Sequence, residues 1–326
     1  MKPLYFFISL IAAFLFASWF GLHMVRTTLP RQVLGKYSPD SIPAIVFLGS
    51  SLTDAAVDQA LLDSLFQTNR MKLRAFNCAL AEMSGDAYYY LIMKNRILSR
   101  GRPAAIAIEL RLFPFSDSKK EFKLLGRGTA ADLTLSELMA YRDFVHVSGR
   151  FPGVLESIAF FLHKHWFLYH HRLNIQEKII ERMPFVKKPS HDLSKNPYGM
   201  RNGAVEAMRS WAREGLRRNQ CNSPQSDDGY FKDIVSLAKE NGVRLIFFRP
   251  PFPPADGILR GNSVYEKSME SFRTLCDSLG IDMWDLAAAP AGTSWSYSDG
   301  IHCDPPSARI FTREIAEKIR KSALVP

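Results

Sequence analysis

The stretch VFLGSSLTDA, Val46 to Ala55, decides the reading of the fold. An apolar run stops at Gly49-Ser50-Ser51 and passes at once into a segment of helix-forming residues. Glycine supplies a bend and serine a helix cap, so the junction reads as a strand-to-helix turn. Such a turn can also hold a serine hydroxyl up for chemistry. Which of the two applies depends on what the rest of the chain brings to it.

Working outward, short apolar runs alternate with helical patterns. AIVFL (44–48), LRAFN (73–77), AAIAIEL (104–110), VRLIFF (243–248) and IDMWDL (281–286) each have the length of a buried parallel strand. Between the first two lies LTDAAVDQALLDSLF, and between the second and third DAYYYLIMKNRILS, both helix-like. YFKDIVSLAKENG precedes the fourth run, with Asn241-Gly242 as its stop, and SVYEKSMESFRTLCDSLG precedes the fifth. Parallel neighbours need crossovers, and helices must cover both faces. The pattern therefore predicts an α/β fold built on a doubly wound, five-stranded parallel sheet. Residues 113–227 lack a strand rhythm and are rich in basic side chains, so they read as a helical insertion within a domain spanning 44–326.

The chain has 326 residues and is 47% hydrophobic, which leaves room for a large core and excludes a disordered chain. Leu4 to Met24 carry no charge apart from the titratable His23. That run is long enough to cross the hydrocarbon layer, so residues 1–26 are expected to form an N-terminal transmembrane anchor, followed by a linker over 27–43 broken by Pro30, Gly35 and Pro43. Lys2 lies before the span and Arg26, Arg31 and Lys36 after it, so loop charge does not favour placing the body outside. A net charge of +10 suits acidic lipid headgroups or anionic polymers. Zinc-finger spacing and aromatic-basic motifs are missing, which argues against a nucleic acid partner. Cys78, Cys221, Cys276 and Cys303 fix no disulfide pairing.

In an open sheet of this kind the site lies beyond the carboxyl ends of the strands, where the winding reverses. Ser51 falls there, beside the unsatisfied N–H groups of a helix start, but a serine needs a base to act as a nucleophile. The other end of the chain offers one in SDGIHCDPPSARIF (298–311). The spacing of Asp299 and His302 can set a carboxylate against one imidazole nitrogen and leave the other to face Ser51. A second such pair, Asp143 and His146, lies in the insertion with no strand end to deliver it, and reads as structural. HKHWFLYHH places His163, His165, His170 and His171 together without a carboxylate or cysteine, which suits a surface helix at a membrane or partner interface rather than a metal site. Lys187, Lys188, Arg201, Arg209, Arg213, Arg217 and Arg218 read as a solvated basic face, and Cys303 as a small residue packed beneath the turn.

FLGSSLT (47–53) and SDGIHCDPPSARIF resemble the first and last blocks of the SGNH (GDSL-like) hydrolase superfamily, whose fold is a flavodoxin-like sheet. With an apolar span ahead of the first block, the chain is similar to the membrane-anchored bacterial envelope members. The resemblance implies Ser51 as nucleophile and first oxyanion N–H, His302 as general base and Asp299 as its orienting acid. The second block, NCALAEMSGD (77–86), offers Gly85 as another oxyanion donor. The third, Gly-x-Asn-Asp, is absent, with IELRLF (108–113) in its place. Positive charge there would come from Arg111, or from Arg249 in FFRPPFPP. The expectation is a membrane-anchored serine esterase or acyltransferase, with its body in the periplasm or outside the cell, acting on acyl esters of envelope carbohydrate or lipid without metal or organic cofactor. The absent third block supports an alternative, a non-catalytic membrane-tethered binding or assembly component of an envelope polysaccharide biosynthesis complex.

Overall fold

A computed structural model describes residues 37–38, 42–79, 89–90, 92–110, 204–219 and 229–322. The chain divides into two units, residues 1–32 with 119–190 and residues 33–118 with 191–326, and every described residue belongs to the second.

Five strands, β1 (Ala44–Leu48), β2 (Arg74–Asn77), β3 (Ala105–Glu109), β4 (Arg244–Arg249) and β5 (Asp282–Asp285), pair in parallel in the order β2-β1-β3-β4-β5. Each begins and ends within one residue of an apolar run quoted above. The central strands β1 and β3 are buried along their whole length, as continuous apolar runs require. The outer strands carry the exposed charges, Arg74 at the start of β2 and Asp285 at the end of β5.

Seven α-helices and one π-helix (Met93–Ile97) accompany them among the described residues: α1 (Ser51–Ala56), α2 (Gln59–Thr68), α3 (Ala204–Asn219), α4 (Gly229–Glu240), α5 (Pro253–Leu259), α6 (Ser263–Ser278) and α7 (Pro305–Lys321). Both faces of the sheet are covered. Phe248 meets Phe47 at a centroid distance of 6.0 Å and Phe311 of α7 at 6.5 Å. Its neighbour Phe247 points the opposite way, to Phe231 of α4 at 5.6 Å and Phe272 of α6 at 5.4 Å. From β1 the chain winds outward to β2, then crosses back to β3 on the far side of β1. The reversal lies between β1 and β3, so the crevice opens where Gly49 leaves one strand and Glu109 ends the other.

LTDAAVDQALLDSLF, read as helix-like, forms two helices. Val57 turns to extended backbone at φ −98° and ψ 101°, and the Asp58 carboxylate accepts the Leu61 N–H at 3.0 Å to cap α2. A short acidic side chain that satisfies a helix start competes with continuing the previous helix. In RPPFPP, α5 begins at Pro253, a first-turn position where the missing N–H costs nothing.

Helix α7 closes the domain. Asp304 caps it by accepting from the Ser307 N–H at 3.0 Å, prolines occupy its first positions, and Lys318, Arg320 and Lys321 sit at the negative end of its dipole. Ala308, Phe311, Thr312, Ile315, Ala316 and Ile319 form its buried stripe. Within that stripe Thr312 has a tethering role: its hydroxyl accepts the Asp58 N–H at 3.0 Å and donates to the Ala56 carbonyl at 3.3 Å. Thr312 thus ties the end of the chain to the junction that follows the first strand-helix turn.

Among the described residues no helix is long and apolar enough to cross a membrane. The longest, α7, has 17 residues and is amphipathic, with charges from Arg309 to Lys321. Spanning takes about 20 mostly apolar residues. The expectations of an N-terminal transmembrane helix, of a membrane-anchored envelope type, of a membrane partner and of a single-pass location are corrected to this narrower statement, that no described helix crosses a membrane. Leu4 to Met24, on which the span was placed, lie outside the described residues.

Thr312→Val keeps the shape of the side chain and removes both hydrogen bonds, leaving a polar backbone group unpaired at the junction. We expect a loss of about 1–3 kcal/mol, measured as a lower denaturant midpoint. An unchanged midpoint would show that the two ends are held together without it.

Candidate active site

The turn after β1 is built around a close approach. Ser50 caps α1, its hydroxyl accepting the Leu52 N–H at 3.2 Å and its carbonyl the Asp54 N–H at 3.1 Å. Behind the turn stands the Glu109 carboxylate, 6% exposed, at the end of β3. It accepts the Ser50 N–H at 2.8 Å, the Ser50 hydroxyl at 2.7 and 3.0 Å, and the Thr53 hydroxyl at 2.5 Å. Burial pushes the Glu109 carboxyl above its ordinary range, while the bonds from Thr53 and Ser50 pull it back. Gly49 is required here. A Cβ at that position would run into the Thr53 side chain and come within 2.7 Å of Glu109 Oε2.

The loop before α7 is shaped by one aspartate. Tyr297 bridges Cys303 in antiparallel fashion, and the Ser298 N–H donates to the His302 carbonyl at 3.0 Å. Inside that loop Asp299 Oδ1 accepts the N–H groups of Ile301 at 3.1 Å and His302 at 2.9 Å. Gly300 takes φ +81°, a left-handed backbone that favours glycine. A Cβ there would sit 3.6 Å from Val205, so the first turn of α3 lies against the loop.

The other carboxylate oxygen, Asp299 Oδ2, lies 2.7 Å from His302 Nδ1, and His302 Nε2 lies 2.8 Å from Ser51 Oγ. His302 is 1% exposed. With a carboxylate at Nδ1, the neutral ring holds its proton on that nitrogen and presents a lone pair at Nε2 to the serine hydroxyl. The arrangement is the Ser-His-Asp geometry of a serine hydrolase.

The other expected residues are placed differently. Gly85 and Arg111 lie outside the described residues, as do Asp143 with His146, the four histidines of HKHWFLYHH, and Lys187, Lys188 and Arg201. Arg249, at the end of β4, is buried; its guanidinium pairs with Asp256, approaches Asp285 at 3.6 Å and lies 5.2 Å over the Tyr265 ring. Asp256 is itself fixed by the Phe252 N–H at 2.8 Å. On α3, Arg209 and Arg213 pair with Glu206, and Arg217 with Glu214. Asn77, which opens the second block, accepts the Ala79 N–H at 3.1 Å and donates to the Val57 carbonyl at 2.9 Å, tying β2 to the junction after α1. Cys303 carries a buried thiol that burial pushes up to about 12, so it stays protonated at neutral pH. Among the described residues no group of three or more His, Cys, Asp or Glu side chains is placed to hold a metal ion.

Sequence reasoning missed Glu109. IELRLF was read for the asparagine it lacks, yet a glutamate closing an otherwise apolar central strand is itself a signal, because such a charge is buried only with partners.

No protein-family model matches the chain, and no curated protein matches it. Solved structures similar to it include a lipase/acylhydrolase from Enterococcus faecalis, 10% identical with a TM-score of 0.40, covering 85% of this chain and 95% of that one. A psychrotrophic esterase from Pseudoalteromonas sp. is 11% identical with a TM-score of 0.38, covering 85% and 97%. An acetylxylan esterase from Geobacillus stearothermophilus, a catalytic mutant, is 12% identical with a TM-score of 0.39, covering 89% and 99%. At these values the likeness bears on neither activity nor substrate.

Gly49→Ala forces the turn away from Thr53 and Glu109. We expect a loss of about 1–3 kcal/mol in chemical denaturation, the range for an overpacked site. Wild-type stability in that variant would mean that the turn has room to spare.

Proposed function

We propose that the chain is an ester hydrolase or O-acyltransferase of the SGNH type, with Ser51 as nucleophile, His302 as general base and Asp299 as the acid that orients it. The observation that carries this reading is the unbroken path from Asp299 through His302 to Ser51, with a bond of 2.7 Å from Asp299 to His302 and one of 2.8 Å from His302 to Ser51, 251 positions away. The resemblance of the two blocks around Ser51 and His302 supports an ester rather than an amide as substrate.

Ser51 Oγ attacks the acyl carbonyl carbon while His302 Nε2 takes its proton, and Asp299 stabilises the imidazolium that forms. The oxyanion of the tetrahedral intermediate faces the Ser51 N–H, for which no acceptor exists among the described residues. When the intermediate collapses, the carbonyl re-forms, the bond to the alcohol oxygen breaks, and His302 gives its proton to that oxygen. Water, or the hydroxyl of an acceptor, then attacks the acyl-enzyme with its proton passing to Nε2, and Ser51 leaves with that proton. Burial of His302 and Asp299 keeps bulk water from competing for the two bonds.

The test is p-nitrophenyl acetate hydrolysis together with labelling by a fluorophosphonate. Wild-type protein should turn over the ester and take up the label, and Ser51→Ala should lose both. Asp299→Asn keeps the acceptor for the loop N–H groups but favours the wrong tautomer of His302, and should lower kcat by about 10⁴-fold. Label retained in Ser51→Ala, or no label on folded wild-type protein, would sink the proposal.

A further inference from the structure

Glu109 takes no part in the path from Asp299 to Ser51, yet it is the most demanding group near it. Its carboxylate is buried, and among the described residues no cation pairs with it. A buried carboxylate without a counter-ion is costly and persists only where directed hydrogen bonds satisfy it. The geometry shows where those bonds go. All come from Ser50 and Thr53, the residue before Ser51 and the residue two after it. Glycine at position 49 is what allows that approach. The contacts hold the turn on both sides of Ser51 while leaving Ser51 itself untouched.

We propose that Glu109 is a positioning residue for Ser51: by clamping Ser50 and Thr53 against the end of β3, it fixes the nucleophile's backbone at the distance that His302 requires. This rests on Ser51 being the nucleophile. The wall of the crevice supplied by β3 therefore acts through the backbone of the neighbouring turn, and a rigid turn is what keeps a hydroxyl on a short helix aligned with a base carried by a distant loop.

Two variants of the full chain separate positioning from mere satisfaction of the core. Glu109→Gln can set its amide oxygen where Oε2 accepts from Ser50 N–H and Thr53 hydroxyl, and direct its amide N–H to the Ser50 oxygen. Glu109→Leu fills similar space and accepts nothing. For p-nitrophenyl acetate, Glu109→Leu should lower kcat about 100-fold at unchanged KM, the loss expected for a displacement of roughly 1 Å, and the fluorophosphonate labelling rate should fall with it. Glu109→Gln should recover most of that loss. Should Glu109→Leu fail to fold, the pair Thr53→Val and Thr53→Ser gives the same comparison, with the valine variant slow and the serine variant recovering rate. Wild-type kcat in Glu109→Leu, a rise in KM alone, no recovery in Glu109→Gln, or equal rates for the two Thr53 variants would overturn the inference. If the wild type itself takes no label, the reading of Ser51 as nucleophile fails and this inference falls with it. A labelled wild type beside an unimpaired Glu109→Leu variant sinks this inference alone.

Discussion

The hydrogen bond between Ser51 Oγ and His302 Nε2, 2.8 Å long, joins the first turn of the sheet to the last loop of the chain. Neither partner is held in place by that bond. Ser51 sits where it does because β1 runs through the centre of the sheet and ends at the reversal of the winding. His302 sits where it does because α7 packs along the same face. The bond is therefore a reading of how well two independent pieces of architecture agree, and Thr312 is where their agreement is secured, bonding to both Ala56 and Asp58.

Two carboxylates are spent on this agreement in different ways. Asp299 divides its oxygens, giving one to the loop backbone and the other to the imidazole ring, so that a single side chain shapes the loop and orients the ring. Glu109 gives both oxygens to the neighbouring turn. A third acid, Asp256, is held against Arg249 at the end of β4 and takes that guanidinium into the fold's own support. Among the described residues the carboxyl edge of the sheet is thus lined with charge engaged in bonds within the protein.

Much of the sheet was legible in the sequence because its central strands are buried on both faces, and such strands announce themselves as unbroken apolar runs. The meeting of Ser51 with His302 was legible for a related reason, since both follow strands whose carboxyl ends share an edge. The break at Val57 and Asp58 was not, because aspartate is tolerated inside a helix and only its bond to the Leu61 N–H marks it as a cap. Glu109 and Arg249 were misjudged from opposite sides. The first was overlooked within a segment read for a missing asparagine. The second was considered as a source of positive charge for the site, although an aspartate seven residues on, brought back by a proline-rich turn, engages it. What a charged side chain does at a sheet edge depends on the partner that folding delivers, and spacing along the chain does not show it.

The order of the two halves along the chain has a consequence for biosynthesis. Ser51 leaves the ribosome long before His302, and at about 5–20 residues per second the interval between them is on the order of ten to fifty seconds. Throughout that time the nascent polypeptide holds a serine with neither its imidazole nor the α7 tether that brings the imidazole in. The hydrogen bond between Ser51 and His302 is therefore made only when translation of the domain is nearly finished.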